Sequence, residues 1–409
     1  MSSRPPYSGS ESKLVISIDI GTTYSGASYT FLSPGEVPKV YNVIGFKGQE
    51  HLESNTKVPS VLLYDGEGKL VACGAEVKAA TEPFMPQGHI RTEWFKLKLR
   101  PASMRIDTPP ITLPPKRTLI EVFGDFLRYM YDCVREYIVK THAEGEQIWV
   151  SLHNSAHFIL SHPNGWESLQ QRMMRQAAME GGLVPKTSEG EERVEFVTEG
   201  EASFHWCVEE KVAEKALKEG TKIVVADLGG GTIDVSSFRV VDPKPLRLEE
   251  TPLCPDCVVA GSITVTDRFV KTIQARLQNT PYGDQDSMET LREEFDNGTK
   301  CHFRSEADKP QYVRIGGRRD NHKDDLCKIE YGILEVQRKE VEQAFEPSIK
   351  ATVQAIKKHV DGQPNVVRLL IIVKTDPGLT AVLVTNSSTY SSLGDLRPVH
   401  GSLTKLNGV

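Results

Sequence analysis

The segment "VVADLGGGTIDVSSFRV", residues 224–240, contains the most informative turn of the chain. Three consecutive glycines, Gly229, Gly230 and Gly231, interrupt an apolar run and have an aspartate on either side, Asp227 and Asp234. Glycine weakens the interior of a strand because it has no side chain to pack and the most backbone entropy to lose. The segment therefore predicts two strands joined by a turn that bends sharply or approaches a ligand closely.

A second segment, "SIDIGTTYSGASY" at residues 17–29, has the same order of features. Both segments contain a strand, Asp-x-Gly, a turn of small residues, a threonine and another strand. They lie about half the chain apart, which predicts an α/β protein with a duplicated unit and two similar turns facing one cleft. One such turn alone is also compatible with an ordinary hairpin.

The composition of the two turns suits an anion. Without a Cβ in the way, main-chain N–H groups form a concave donor cluster suited to phosphate, and threonine hydroxyls add donors. Neither turn has the Walker pattern or the GxGxxG fingerprint, because the segment after each turn is strand-like and not helical. We therefore predict that the two turns hold a polyphosphate from opposite sides.

Two aspartates end the strands beside these turns, Asp19 before the first and Asp227 before the second. Magnesium that arrives with a triphosphate keeps most of its waters and meets few carboxylates. We predict that Asp19 and Asp227 bind those waters, and that Asp234 fixes the second turn.

Three stretches carry a resemblance to a known family: "IDIGTTYS" (18–25), "ADLGGGTIDVS" (226–236) and "SHPNGWESLQQRMMRQAAMEGGL" (161–183). They resemble the actin-like ATPase superfamily, and within it the nucleotide-binding domain of the seventy-kilodalton heat-shock (Hsp70) chaperones. The chain is most similar to the divergent, often fungal, branch related to the twelfth human subfamily. The resemblance covers roughly residues 13–373.

The resemblance implies a two-lobed, duplicated ribonuclease-H-like α/β fold that binds ATP or ADP with Mg²⁺ and hydrolyses ATP. The residues that match nucleotide-binding positions are Gly21, Thr22, Thr23, Tyr24, Gly229, Gly230, Gly231, Thr232 and Gly261. Those that match catalytic positions are Lys96, Glu199, Asp227 and Thr232, with Lys98 as the alternative to Lys96. By sequence alone, Glu199 is also compatible with an ordinary helix-start carboxylate and Lys96 with a solvated helix lysine.

The expected organisation is a loose tail (1–12), a first lobe (13–198) with an inserted subdomain at about 51–117, a second lobe (199–373) with an inserted subdomain at about 262–332, and an atypical tail (374–409). The family's adenosine motif is a strand, Gly-Gly and a helix. After "VVRLLIIV" (366–373) this chain instead reads "KTDPGLTAVLVTNSS". We therefore expect a truncated second lobe and no peptide-binding domain, either from a truncated or misread gene product or from a loss of adenosine specificity.

Elsewhere, apolar spacing predicts helices at 118–140, 166–183, 266–279, 286–303 and 333–360, the last kinked or restarted at Pro347. The run "QIWVSL" (147–152) is predicted to be a strand.

Bulk properties exclude several classes of function. The net charge of −6 argues against a nucleic-acid partner. No apolar run approaches a membrane span, and the first residues lack the apolar core of a signal peptide. We expect a cytoplasmic protein, with the nucleus as the alternative. Its expected partners are a nucleotide and proteins such as a co-chaperone.

The seven cysteines suggest reduced thiols, since the count is odd and no secretion signal precedes them. Cys254 and Cys257 form a CxxC with Cys301, His302 and Cys327 downstream, so a zinc site is one interpretation. Ordinary loop cysteines are favoured, because no second CxxC or HxxxH completes the set.

Three functions are compatible with the sequence. The first is a chaperone-like domain that binds and hydrolyses ATP. The second is a metabolite kinase of the same superfamily, which would need an acid/base residue for its substrate that we do not identify. The third is a degenerate module that holds nucleotide, or nothing, and acts through protein contacts, as the missing adenosine motif suggests.

Overall fold

The computed structural model describes residues 5–50, 55–81, 85–101, 104, 111–166, 168–209, 218–243, 246–251, 255–303, 310–317 and 319–360, together with the backbone of 367–375 and 378–386. These residues form a mixed α/β structure with four sheets. The expected α/β class is therefore confirmed.

The strands, in chain order, are β1 (Lys13–Asp19), β2 (Tyr24–Leu32), β3 (Val40–Asn42), β4 (Val58–Pro59), β5 (Val61–Tyr64), β6 (Leu70–Cys73), β7 (Ile90–Glu93), β8 (His157–His162), β9 (Val194–Thr198), β10 (Lys222–Leu228), β11 (Ile233–Pro243), β12 (Leu246–Glu250), β13 (Asp256–Val258), β14 (Gln311–Arg314), β15 (Lys323–Asp324), β16 (Ile329–Glu330), β17 (Ile333–Val336), β18 (Val367–Thr375) and β19 (Gly378–Asn386).

The α-helices are α1 (Glu76–Thr81), α2 (Leu119–Thr141), α3 (Gly145–Leu152), α4 (Ser168–Glu180), α5 (Ser188–Glu192), α6 (Glu199–Glu209), α7 (Ser262–Leu277), α8 (Gln285–Glu294), α9 (Lys300–His302) and α10 (Arg338–Val360). Short 3-10 helices lie at Phe95–Leu99 and His153–Ser155, and a π-helical turn at Phe295–Thr299 joins α8 to α9.

The two large sheets share one strand arrangement. The first has the order β3-β2-β1-β8-β9, in which β1 to β3 are antiparallel neighbours and β8 runs parallel to β1. The second has the order β12-β11-β10-β18-β19, in which β10 to β12 are antiparallel and β18 runs parallel to β10. In both sheets the first strand of a hairpin is therefore central, and it pairs on its other edge with a parallel strand.

The two smaller sheets lie outside this pair. One has the order β6-β5-β7 and the other β14-β17-β16-β15. Strands β5 to β7 lie within 51–117 and β14 to β16 within 262–332, whereas β17 follows the second of these segments. The two inserted subdomains stay a prediction.

The first sheet is covered by α2. Strand β1 alternates buried and half-buried residues, as a strand with one face on a core does, and its buried Leu14, Ile16 and Ile18 share a cluster with Phe123 and Phe126 of α2. Helix α2 begins at a capping box in which the Thr118 hydroxyl accepts the N–H of Glu121. This packing holds the end of β1, where the first turn begins.

The central strand of the second sheet is buried on both faces. Val224 and Ala226 of β10 contact the cluster that contains Ile356 of α10, whereas Val225 belongs to the cluster around Phe204 of α6. Burial on both faces explains the continuous apolar run before the glycines, since no residue of a doubly covered strand faces water.

The run "QIWVSL" is helical and not a strand, so that prediction is wrong. It forms α3, whose Trp149 is buried against Tyr131 of α2 with the ring centroids 5.1 Å apart. Gly145 lets α3 start close to α2, because a Cβ there would lie 2.5 Å from the Ile138 carbonyl oxygen. Short apolar runs do not distinguish strand from helix, and here contact with α2 decides.

The remaining predicted helices are present with shifted bounds. The segment predicted at 333–360 begins with β17, and α10 then runs as one helix with Pro347 inside it, so it does not restart there. Strand β19 pairs antiparallel with β18 within the segment predicted as an atypical tail.

Within the described part of the chain, no helix combines the length and apolar character that a membrane span requires. The same residues contain no group of three or more His, Cys, Asp or Glu side chains placed to hold a metal ion. Cys254 lies outside the described residues, and Cys301 is exposed.

Candidate functional site

The first predicted turn connects β1 to β2. Asp19 at the end of β1 pairs with Gly26 of β2, so the turn comprises the residues between Asp19 and Tyr24. A Cβ at Gly21 would overlap the carbonyl oxygen of Tyr24. Glycine is therefore needed at position 21 for the backbone to turn this tightly.

The second predicted turn connects β10 to β11. Leu228 pairs with Ile233, and the Gly229 N–H donates to the Thr232 carbonyl oxygen at 2.9 Å. The glycines at 229–231 do not adopt the left-handed φ that would by itself require glycine. For Gly230 and Gly231, close approach by the first turn is instead what excludes a side chain.

The two turns contact each other. A Cβ on Gly230 would overlap Oγ1 of Thr23, and one on Gly231 would lie 2.5 Å from Oγ1 of Thr22. The structure thus brings the two sequence motifs to one place, with the threonine side chains of the first turn against the glycines of the second.

The start of α7 is hydrogen-bonded to the second turn. Its N–H groups donate to the turn's carbonyl oxygens, Gly261 to Gly231 at 3.1 Å and Ile263 to Gly230 at 2.9 Å. A Cβ at Gly261 would lie 2.5 Å from the Gly230 oxygen, so this glycine permits the close packing. Direct contact of Gly261 with a nucleotide stays a prediction.

These bonds from α7 use the carbonyl groups of the turn and none of its N–H groups. Among the described residues, we find no hydrogen bond donated by the main-chain N–H of Gly230 or Gly231. Such donors in a turn are what an anion requires.

Lys96 and Glu199 form a buried ion pair. Nζ of Lys96 lies 2.5 Å from Oε1 of Glu199, and the two side chains are only 3% and 7% exposed. The ammonium also lies 5.8 Å from the ring centroid of Trp166. Lys98, the alternative, is exposed. The structure thus pairs Lys96, and not Lys98, with the predicted glutamate.

The aspartate at the first turn already has protein partners. Oδ2 of Asp19 accepts from Nζ of Lys57 at 2.6 Å, and Oδ1 accepts from the Ser161 hydroxyl at 2.7 Å. Sequence reasoning missed both residues. The available signal was position: Lys57 immediately precedes the predicted strand "VPSVLLY", and Ser161 begins a segment quoted for the family resemblance.

The aspartate at the second turn is more deeply buried. Asp227 is 1% exposed, and its Oδ2 accepts from the Ser203 hydroxyl of α6 at 3.1 Å. Ser203 was also missed, since nothing in the sequence of α6 indicates which of its side chains faces β10.

Asp234 connects the second hairpin to the segment after β8. Its Oδ1 accepts the Asn164 N–H at 2.7 Å, while the Asn164 side chain donates to Ser236 at 2.9 Å. Burial raises the pKa of Asp234 to about 7, helped by the negative charges of Glu199 and Asp227 and opposed by a hydrogen bond from the Thr232 hydroxyl. Asp234 thus anchors the turn, as expected, and also bonds a segment on the other sheet.

Three curated proteins illustrate what this chain is similar to. Human heat shock 70 kDa protein 12A is 23% identical over 286 residues, which cover 56% of this chain and 41% of that protein. Its mouse counterpart is 24% identical with the same coverage, and human heat shock 70 kDa protein 12B is 23% identical over 285 residues, 56% of this chain and 40% of that protein. No protein-family model matches the chain.

The chain thus spans about two fifths of the length of the curated relatives it matches. The similarity confirms the resemblance predicted from the phosphate motifs: this chain is similar to the divergent, twelfth-subfamily branch of the Hsp70-like proteins.

Proposed function

We propose that the chain is an Hsp70-like nucleotide-binding domain that binds ATP with Mg²⁺ and hydrolyses it. The observation that carries this proposal is the contact between Thr22–Thr23 and Gly230–Gly231. Two turns that are remote in sequence and rich in donors meet, as a clamp for a polyphosphate would require. Similarity to heat shock 70 kDa proteins 12A and 12B supports the same assignment.

In this proposal the N–H groups of Gly230 and Gly231 and the threonine hydroxyls bind the phosphate oxygens. Phosphoryl transfer to water needs mainly positioning and charge neutralisation, which fixed amide donors supply without reorganisation. Glu199 holds the Lys96 ammonium through their ion pair. The adjacent residue, Leu97, lies against the second turn, where a Cβ on Gly231 would be 3.0 Å from Cδ2 of Leu97. Lys96 would stabilise charge on the transferring phosphate, and Glu199 would orient Lys96 and the attacking water.

The predicted metal ligands differ in how well they fit. Asp227 is a buried carboxylate at the strand end beside the glycines, which suits a ligand for the waters of a bound cation. Asp19 suits this role less, because both of its oxygens already accept protein hydrogen bonds. Bound Mg²⁺ would supply charge neutralisation at the phosphates.

We further propose that the two large sheets are the cores of two lobes of a duplicated actin-like ATPase fold. Their shared arrangement, a hairpin plus a parallel strand beside its first strand, supports this. The lobe limits expected from the sequence are 13–198 and 199–373, and we propose to extend the second to Asn386 because β18 and β19 belong to its sheet. We place the domain in the cytoplasm or nucleus.

A second candidate function is nucleotide binding without turnover. Two of the carboxylates assigned to the site, Asp19 and Glu199, are each in an ion pair with a lysine, and this favours a site that holds nucleotide without positioning water.

Titration calorimetry with Mg-ATP, together with a phosphate-release assay, tests the proposal. We expect binding and slow turnover in the unmutated protein. Asp227→Asn should abolish turnover, and Gly230→Ala should weaken binding at least about tenfold, because its Cβ displaces Thr23. Gly298→Ala is the matched control, since a Cβ there meets no atom within 4 Å.

The outcomes are distinct. Binding without phosphate release would favour the second candidate. Absence of nucleotide binding in the unmutated, folded protein would refute both.

A further inference from the structure

Lys57 lies at the first turn in a fixed position. Its Nζ is 2.6 Å from Oδ2 of Asp19, and the two side chains are 18% and 27% exposed. The aliphatic part of the side chain lies along Gly26, where an added Cβ would be 3.1 Å from Cδ of Lys57 and 3.3 Å from Nζ. The Lys57 side chain therefore packs against β2, because Gly26 has no side chain that would displace it.

The backbone of Lys57 is fixed as well. Its carbonyl oxygen accepts from Nε2 of the buried Gln49 at 2.6 Å, and its N–H donates to Oδ1 of Asn55 at 2.9 Å. The following residue, Val58, pairs with Ser25 of β2. Hydrogen bonds on both sides of the main chain set the direction in which the ammonium points.

The same strand segment is bonded to the first turn. The Ser60 N–H donates to the Thr23 carbonyl oxygen at 2.8 Å, and the hydroxyls of Ser60 and Ser25 are 2.7 Å apart. Lys57 and the predicted phosphate donors thus belong to one hydrogen-bonded unit, which places an ammonium group beside the first turn.

We infer that Lys57 is a built-in cation of the first phosphate turn and that Asp19 is its counter-ion, not a ligand of the metal's waters. The inference rests on the proposed function and assigns a charge-positioning role to Lys57. Its ligand is the polyphosphate of a nucleotide. A fixed ammonium at this turn supplies part of the charge that would otherwise come from the divalent cation.

With Lys57 in this role, the affinity for nucleotide depends on magnesium in a specific way. In the unmutated protein, Lys57 offsets the charge of Asp19, so ATP without metal is still bound. In Lys57→Met the Asp19 carboxylate loses that compensation and repels the phosphates unless a hydrated cation is present. Metal dependence therefore increases when Lys57 is removed.

The experiment measures the Kd of ATP by calorimetry in excess Mg²⁺ and in excess EDTA. The ratio of the EDTA value to the Mg²⁺ value should rise at least about tenfold in Lys57→Met relative to the unmutated protein. Lys57→Arg, which keeps the charge, should restore most of the original ratio. Lys69→Met is the control, because it removes an exposed lysine of the adjoining β5–β6 turn with the same change in net charge.

A second variant tests the inference independently, in case Lys57→Met does not fold. Asp19→Asn removes the counter-ion and retains a partner for Ser161, and the inference expects Mg-ATP binding that is no weaker and EDTA binding that is tighter. If Asp19 were instead a ligand of the metal's waters, Asp19→Asn would raise the Kd of Mg-ATP at least about tenfold. That result, or an unchanged ratio in a folded Lys57→Met, would overturn the inference while leaving the proposed function standing. If the unmutated protein binds ATP in neither condition, the proposed function fails and the inference with it.

Discussion

Replacing Lys96 by methionine is expected to destabilise the protein strongly. The change removes the ammonium that lies 2.5 Å from the Glu199 carboxylate, in a site where both side chains are more than nine-tenths buried. Methionine fills a similar volume, so the packing against Trp166 is largely kept. The main effect is therefore a carboxylate left in a buried site without its lysine.

The size of the effect follows from the burial. Removing one partner of a buried ion pair costs about 3–5 kcal/mol of unfolding free energy, because the remaining charge is not rehydrated. For a protein of this size, about 2 °C of melting temperature corresponds to each kcal/mol, which gives a decrease of about 6–10 °C. A neutral pair of similar shape, Lys96→Met with Glu199→Gln, should recover most of that loss, since no buried charge remains.

Thermal and urea unfolding, followed by circular dichroism without nucleotide, measure these differences. Lys98→Met is the matched control: the residue lies in the same 3-10 helix but is exposed, so its replacement should change stability by less than about 0.5 kcal/mol. Equal melting temperatures for Lys96→Met and Lys98→Met would refute the reasoning. So would a double variant whose loss equals the sum of the single losses, because the pair would then not be coupled.

Three further variants probe other parts of the structure. Asp234→Asn should raise the free energy of unfolding near pH 7.5 by at most about 4 kcal/mol. The pKa of Asp234 is raised to about 7 in the folded state, so between about pH 4 and pH 7 only the unfolded state loses the proton and stability decreases as pH rises. Asparagine does not ionise, so urea unfolding as a function of pH should show that this decrease is lost. If the stability of the variant depended on pH as strongly as that of the unmutated protein over this range, the prediction for Asp234 would be wrong. Gly74→Ala should cost about 1–3 kcal/mol in the same assay, since Gly74 has a φ of +63° and a Cβ would lie 2.5 Å from the Tyr129 hydroxyl; an unchanged urea midpoint would contradict this. Thr118→Ala should cost about 1 kcal/mol through loss of the α2 capping box, and Thr118→Ser should retain most of it.

Local sequence was sufficient for the two turns. Gly21 and Gly230 are needed because their own backbone approaches another atom too closely for a Cβ, and this requirement is visible as glycine between apolar runs. The hairpins β1–β2 and β10–β11 were predictable for the same reason. Their register depends on neighbouring residues and on a turn of a few residues.

The failed strand prediction shows where local information ends. Residues 147–152 are apolar enough for either a strand or a helix, and they became α3 because Trp149 packs on α2. The strand that pairs with β1 is β8, a few residues later. Nothing within the six residues themselves distinguishes the two outcomes.

The sequence alone was enough to locate the two glycine-containing turns, the aspartates beside them and the similarity to Hsp70-like proteins. Tertiary packing decided which groups pair with the charged side chains. Lys57 pairs with Asp19 across 38 positions, the Asn164 N–H with Asp234 across 70, and Lys96 with Glu199 across 103. A turn is specified by the conformational limits of adjacent residues, which composition displays directly. An ion pair depends on which buried surfaces meet after folding, and distance along the chain carries no information about that.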